Sequence, residues 1–276
     1  MSNQFTGRWL VSEYVYNPDG TFAGIVQQKR YVERITDTQL RVIQDCEPSP
    51  ELASHPMANF RGHWEFDLHI RENQREYHGL DVVGTGIPYS AGSMLGEGIW
   101  TRFGYNFTSF GLLPSPDRQL TGGAFFHTNQ MIARIVGVAT PETENSIEQF
   151  PNLQQTISLN DYTKQCSGTG ERFSQDGTFL SKTDITLSWD SEDTLTVEHN
   201  SDTDILQGRF IHEGQSIAVY GKRKQYGCLI DDVLYSATGV KIQSQAVFDT
   251  EHNTLVIVRQ IRLSHKEQFV DILMLH

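Results

Sequence analysis

Apolar and polar residues alternate with a period of two along most of this chain. The runs are short, rich in β-branched and aromatic residues, and closed by Gly, Pro, Asn or Asp. That spacing puts successive side chains on opposite faces of an extended strand. It predicts strands near 8–16, 21–35, 39–45, 59–70, 75–84, 97–111, 119–127 and 130–138. A second series follows near 171–174, 178–188, 194–199, 205–212, 216–223, 227–237, 240–249, 254–263 and 267–275. Asn17-Pro18-Asp19-Gly20, Pro114-Ser115-Pro116-Asp117 and Gln175-Asp176-Gly177 supply turn chemistry between them. No segment carries a sustained helical period.

The stretch 139–165 is polar and interrupted by Pro141 and Pro151, so it reads as a linker. The chain repeats on either side of it. Tyr16-Asn17-Pro18-Asp19-Gly20-Thr21-Phe22 matches Phe173-Ser174-Gln175-Asp176-Gly177-Thr178-Phe179. Leu40-Arg41-Val42 then matches Leu195-Thr196-Val197, and Phe60-Arg61-Gly62-His63-Trp64 matches Leu206-Gln207-Gly208-Arg209-Phe210. The order is the same in both copies. This predicts a duplicated all-β unit, residues 1–138 and 166–276, rather than one sandwich with recurrent turns. About eight antiparallel strands joined in sequence make an up-and-down barrel, which removes the exposed sheet edges and leaves room inside for one small ligand.

Composition narrows the function. The 276 residues suffice to bury a core without disulfides or metal. No apolar run approaches the ~20 residues of a membrane-spanning helix, and the first residues do not resemble a signal peptide, so a cytoplasmic location is expected. The three cysteines, Cys46, Cys166 and Cys228, are scattered, which fits buried thiols better than a disulfide framework or a zinc site. A net charge of -12 repels phosphate backbones and anionic membranes, so neither nucleic acid nor membrane is expected as a partner. The densest basic run, Lys222-Arg223-Lys224, reads as a solvated turn. Oligomeric state leaves no mark on the sequence.

Gly7-Arg8-Trp9, at the start of the first strand, resembles the Gly-x-Trp signature of lipocalins and the wider calycin superfamily. The whole chain resembles two-domain calycin-like proteins of unknown function from cyanobacteria. The resemblance implies two lipocalin-like barrel halves in tandem and a habit of binding apolar ligands. It also implies that Trp9 plugs the closed end of the first barrel, with a late-strand cation packed on it; Arg134 holds that position. The second copy has no Trp around Gly170-Glu171-Arg172-Phe173.

Two segments could carry chemistry. In Asn59–Ile70, Trp64, Phe66, Leu68 and Ile70 share one face, and His63, Glu65, Asp67 and His69 the other. The ionisable face is either solvated or lines a pocket as an acid–base set. Metal ligation is not expected, because alternate residues ~6.5–7 Å apart along one strand do not converge on a point. In Gly84–Leu113, a glycine-rich loop (Gly84, Gly86, Gly92, Gly96, Gly98) precedes an aromatic strand and could form a lid over an open barrel end. Nucleophile-elbow, phosphate-loop, dinucleotide and zinc-protease motifs are absent.

The sequence therefore predicts a small apolar or aromatic ligand held by Trp64, Phe66, Trp100, Phe103, Tyr105 and Phe107. Glu65, His78 and Asp81 are candidate acid–base residues for a cofactor-independent cyclase or isomerase, which orientation and one proton-transfer group would suffice to run. No cofactor is implied. Alternatives are a tetrapyrrole (bilin or haem) binder or chromophore lyase, and a non-catalytic interaction module with filled barrels.

Overall fold

The computed structural model describes residues 5–90, 92–143, 149–153, 166–187, 195–200, 205–212, 215–249, 251–263 and 268–275. The chain divides into two compact units, Met1–Leu153 and Gln154–His276.

The first unit is a closed antiparallel barrel of ten strands, two more than the sequence predicts. They are β1 (Gly7–Tyr16), β2 (Phe22–Thr36), β3 (Gln39–Pro48), β4 (Gly62–Ile70) and β5 (Arg75–His78), then β6 (Val82–Ser90), β7 (Ser93–Trp100), β8 (Tyr105–Ser115), β9 (Arg118–His127) and β10 (Gln130–Pro141). Each strand pairs with its neighbour in sequence, and β1 pairs with β10 to close the ring. The segment 84–98 is not a loop but the β6–β7 pair, with Gly84 opposite Gly98 and Gly86 opposite Gly96. The aromatic strand predicted over 97–111 breaks at Gly104, whose φ of +67° makes the tight turn between β7 and β8. β10 runs to Pro141, and the first unit continues to Leu153, whose backbone N–H donates to the Tyr14 hydroxyl.

Between β3 and β4 the period-two pattern lapses. Pro50 and Pro56 open two short 3-10 helices, Pro50–Leu52 and Pro56–Phe60. Proline fixes φ and removes a ladder donor, so this stretch does not continue as strand. Leu52, Met57 and Phe60 are instead buried against one end of the barrel.

The second unit is a nine-stranded antiparallel sheet: β11 (Cys166–Ser174), β12 (Phe179–Leu187), β13 (Leu195–Asn200), β14 (Ile205–His212), β15 (Gln215–Tyr226), β16 (Leu229–Tyr235), β17 (Lys241–Asp249), β18 (Thr254–Arg262) and β19 (Gln268–Leu275). Among the described residues no pairing joins β12 to β13. Phe210, Val219, Leu234, Val240, Ile242 and Ile261 form its core. Lys222-Arg223-Lys224 lies within β15 and is not a turn. Lys222 and Lys224 face solvent, while Arg223 makes two hydrogen bonds to the buried Asp232 at 2.7 Å each. Among the described residues no helix is long and apolar enough to cross a membrane.

The repeated heptapeptides fold alike. In the first, Thr21 N–H donates to Asp19 Oδ1 at 2.9 Å, and Tyr16 and Phe22 meet edge to face at 5.6 Å. In the second, Thr178 N–H donates to Asp176 Oδ1 at 3.0 Å, and the Phe173 and Phe179 rings meet at 5.7 Å. A bulge precedes Tyr16 and Phe173 alike. Gly20 and Gly177 both take positive φ, +96° and +85°. Alanine at Gly20 is therefore expected to cost about 1–2 kcal/mol, read from urea denaturation; an unchanged midpoint would mean the turn relaxes freely.

Candidate functional site

Strand parity decides what faces the barrel interior. Trp9, Val11, Glu13 and Val15 of β1 lie opposite Arg30, Gln28, Val26 and Gly24 of β2, and the same parity runs on through Cys46, Gln44, Val42 and Leu40 of β3. It continues through Trp64, Phe66 and Leu68 of β4, Tyr77 of β5 and Trp100 of β7. Most of these residues line a cavity of about 270 Å³ with an apolar and a polar end.

The apolar end is closed by Phe60. Its ring packs edge to face on Trp100 at 5.0 Å, on Phe103 at 5.3 Å and on Phe125 at 5.3 Å, with Trp64 and Tyr105 around it. The Trp64 indole N–H donates to the Phe60 carbonyl at 2.7 Å, and the Asn59 amide donates to the Tyr105 hydroxyl at 3.0 Å. The buried polar tips of these rings are therefore satisfied.

The polar end is built from β1, β2, β3 and β9. Gln28 Nε2 donates to Glu13 Oε2 at 2.6 Å. The Arg30 guanidinium donates to Gln119 Oε1 and to Gln28 Oε1, both at 3.2 Å, and Gln44 reaches Gln28 Oε1 at 3.4 Å. Glu13 Oε1 lies 3.7 Å from Arg30, an ion pair without a close hydrogen bond. Burial pushes the Glu13 carboxyl above its ordinary range, and Arg30 and Gln28 offset part of that. Cys46 faces the same space, and burial raises its thiol so far that it stays protonated, which removes it as a nucleophile. Burial pushes the Tyr77 phenol up to about 12, against a hydrogen bond with Ser109.

The aromatic residues singled out by sequence all come together here. Phe66, Trp100 and Phe107 line the cavity, while Trp64, Phe103 and Tyr105 form the plug around Phe60. The acid–base set is not assembled. Glu65 lies on the outer face of β4, paired with Arg41 at 3.2 Å, because parity that turns Trp64 and Phe66 inward turns Glu65 outward. His78 is exposed beside Glu76, and Asp81 sits in the β5–β6 turn, where its carbonyl accepts from Thr101. His63 pairs with Asp45, and His69 packs on His78, both on the outer wall.

Arg134 does not pack on Trp9 as expected. Trp9 lines the cavity at the end away from Phe60, cross-strand from Arg30. Arg134 is cross-strand from Tyr16, at the other end of β1 and on the outer face. The ring seal belongs to Phe60.

Sequence reasoning missed Glu13, Gln28, Arg30 and Gln119. The signal was present: Glu13 interrupts the parity Trp9, Val11, Val15, and Gln28 and Arg30 interrupt Val26 and Val32. It was masked because Leu10, Tyr14 and Tyr16 make the opposite face of β1 apolar as well.

The sequence matches no protein-family model and no curated protein. In structure, the chain is similar to a protein of unknown function from the DUF3598 family of Nostoc punctiforme, at 9% identity and a TM-score of 0.58, over 99% of this chain and 96% of that one. An S-type phycobiliprotein lyase from Guillardia theta aligns over 51% of this chain and 90% of its own, at 8% identity and TM-score 0.40. A redesigned β-barrel bound to DFHBI aligns over 50% and 95%, at 11% identity and TM-score 0.30. The likeness to the Nostoc protein, over 99% of this chain, is one of fold.

Proposed function

We propose that the first unit binds a compact aromatic molecule of about two rings inside its barrel. One observation carries this: an internal cavity of about 270 Å³ that is aromatic at one end and hydrogen-bonding at the other. A dry cavity of about 150 Å³ is enough for benzene, so this one suits roughly two fused rings. Apolar walls with a few placed polar groups are the ordinary make-up of a ligand site. The size counts against a tetrapyrrole, with its four linked pyrrole rings, and the existence of the space counts against an interaction module with a filled barrel.

A cyclase or isomerase using this cavity would depend on Glu13. It lines the space, and burial makes it a stronger proton acceptor than an exposed carboxylate. In the second unit, β11 pairs with β19 and β12 as β1 pairs with β10 and β2. The break between β12 and β13 falls where β2 meets β3 in the first unit, and we infer that this pair closes a second barrel.

Gly111 provides the test. A Cβ built there meets only Gln119 Nε2 at 3.4 Å and the Phe5 ring at 4.0 Å, so valine projects into the cavity without backbone strain. Naphthalene, followed by quenching of tryptophan fluorescence, is expected to bind the natural protein and to bind Gly111→Val at least tenfold more weakly. If naphthalene does not bind, or binds both proteins equally, the cavity is not the ligand site.

A further inference from the structure

The polar end of the cavity has a composition that selects among ligands. Glu13 and Arg30 both border the cavity and lie 3.7 Å apart, so the pair adds no net charge to the space. A carboxylate drawn to Arg30 would sit within a few ångströms of Glu13, and an ammonium drawn to Glu13 would meet Arg30 in the same way. Like charges that close repel strongly at the effective dielectric of a protein site. Each charged head group therefore loses to one member of the pair much of what it gains from the other.

The cluster also holds buried polar atoms without partners. Arg30 spends its terminal nitrogens on Gln119 and Gln28, and its buried Nε has no hydrogen-bond partner. The Thr121 hydroxyl, buried in the cavity wall, has no hydrogen-bond partner either. A buried polar atom left unpaired keeps its desolvation cost, so a ligand group that pairs with this cluster gains more than one that does not.

We infer that the ligand's polar end is an uncharged group carrying a donor and an acceptor side by side, a lactam or cyclic urea, seated between Glu13 and Arg30. Its N–H donates to the Glu13 carboxylate and its C=O accepts from the Arg30 guanidinium, while its rings lie among Phe66, Trp100 and Phe107. This rests on the reading that the cavity holds a ligand.

The test is a titration series at pH 7 on the full chain with four bicyclic probes: naphthalene, 2-quinolinone, 2-naphthoate and 2-naphthylmethylammonium. The lactam 2-quinolinone is expected to bind at least tenfold more tightly than naphthalene, and the two ions no more tightly than naphthalene. Glu13→Gln removes the negative member of the pair, so 2-naphthoate should gain at least tenfold in that variant. Naphthalene binding equal to 2-quinolinone binding, or an ion binding more tightly than the lactam, overturns the head-group assignment and leaves the cavity reading intact. Failure of all four probes overturns the cavity reading itself. The ranking in the natural protein decides the matter even if Glu13→Gln does not fold.

Discussion

Replacing Arg30 by methionine is expected to destabilise the first unit by about 3–5 kcal/mol at pH 7, the usual result of stranding a buried charge. Methionine fills much of the same volume, so the loss is electrostatic. Glu13 keeps its hydrogen bond from Gln28 and loses its neighbouring cation, while Gln119 and Gln28 each lose a donor. The effect is pH-dependent in a direction the structure sets. The Glu13 carboxyl is already raised from the ordinary 4.5 by burial, and Arg30 is the first of the two groups that oppose the rise. Without Arg30 it rises further. A carboxyl whose folded pKa exceeds its unfolded one holds its proton more tightly in the folded state. Its penalty is absent below the unfolded pKa, grows as pH rises, and is complete above the folded pKa. The destabilisation by Arg30→Met should therefore shrink from pH 7 to pH 5. Adding Glu13→Leu removes the stranded charge and should recover most of the loss. Urea denaturation at the two pH values measures all of this. A loss below 1 kcal/mol, or one that ignores pH, would mean that Glu13 is hydrated rather than held by Arg30.

Phe60→Ala should cost a similar amount, about 3–5 kcal/mol, through a cavity rather than a charge. Phe60 is 5% exposed and touches five aromatic rings that belong to β4, β7, β8, β9 and the β7–β8 turn. Those rings are anchored on separate strands of a closed barrel, so they have little freedom to collapse into the space. The void would join the existing cavity, and ligands longer than two rings should begin to bind. Tryptophan fluorescence reports this well, because Trp9, Trp64 and Trp100, three of the four tryptophans, are buried in this unit. A cost near 1 kcal/mol would show that the 3-10 segment is a loose cover rather than a plug.

Much of the fold is legible along the chain because its causes are local. Period-two alternation, β-branched composition and Asp-Gly turns act within a few residues, and they mark strands at nearly every position where one forms. The paired turns at Asp19-Gly20 and Asp176-Gly177 fold alike down to the aspartate that accepts the next-but-one N–H. The aromatic half of the site is legible for the same reason: Trp64 and Phe66 share a strand face with Leu68 and Ile70, and burial of that face follows from hydrophobicity alone. The glycine-rich stretch misleads. Gly84, Gly86, Gly96 and Gly98 read as a loop, whereas they lie opposite one another across two strands, and Gly86 and Gly96 leave room for the Tyr77 hydroxyl, which a Cβ at Gly96 would meet at 2.9 Å.

What the amino-acid sequence determined by itself is the all-β class, the strand series, the matching Asp-Gly turns and the greasy wall of the pocket, each the product of interactions between near neighbours. Tertiary structure alone decided the strand number at which the first barrel closes, the plugging of one end by Phe60, and the meeting of Glu13, Arg30 and Gln119 around one cavity. Those residues come from β1, β2 and β9, and Gln119 is 89 positions beyond Arg30. Only closure of the ring by β1 and β10 brings them together, and no period along a single strand encodes which strands will face one another across a barrel.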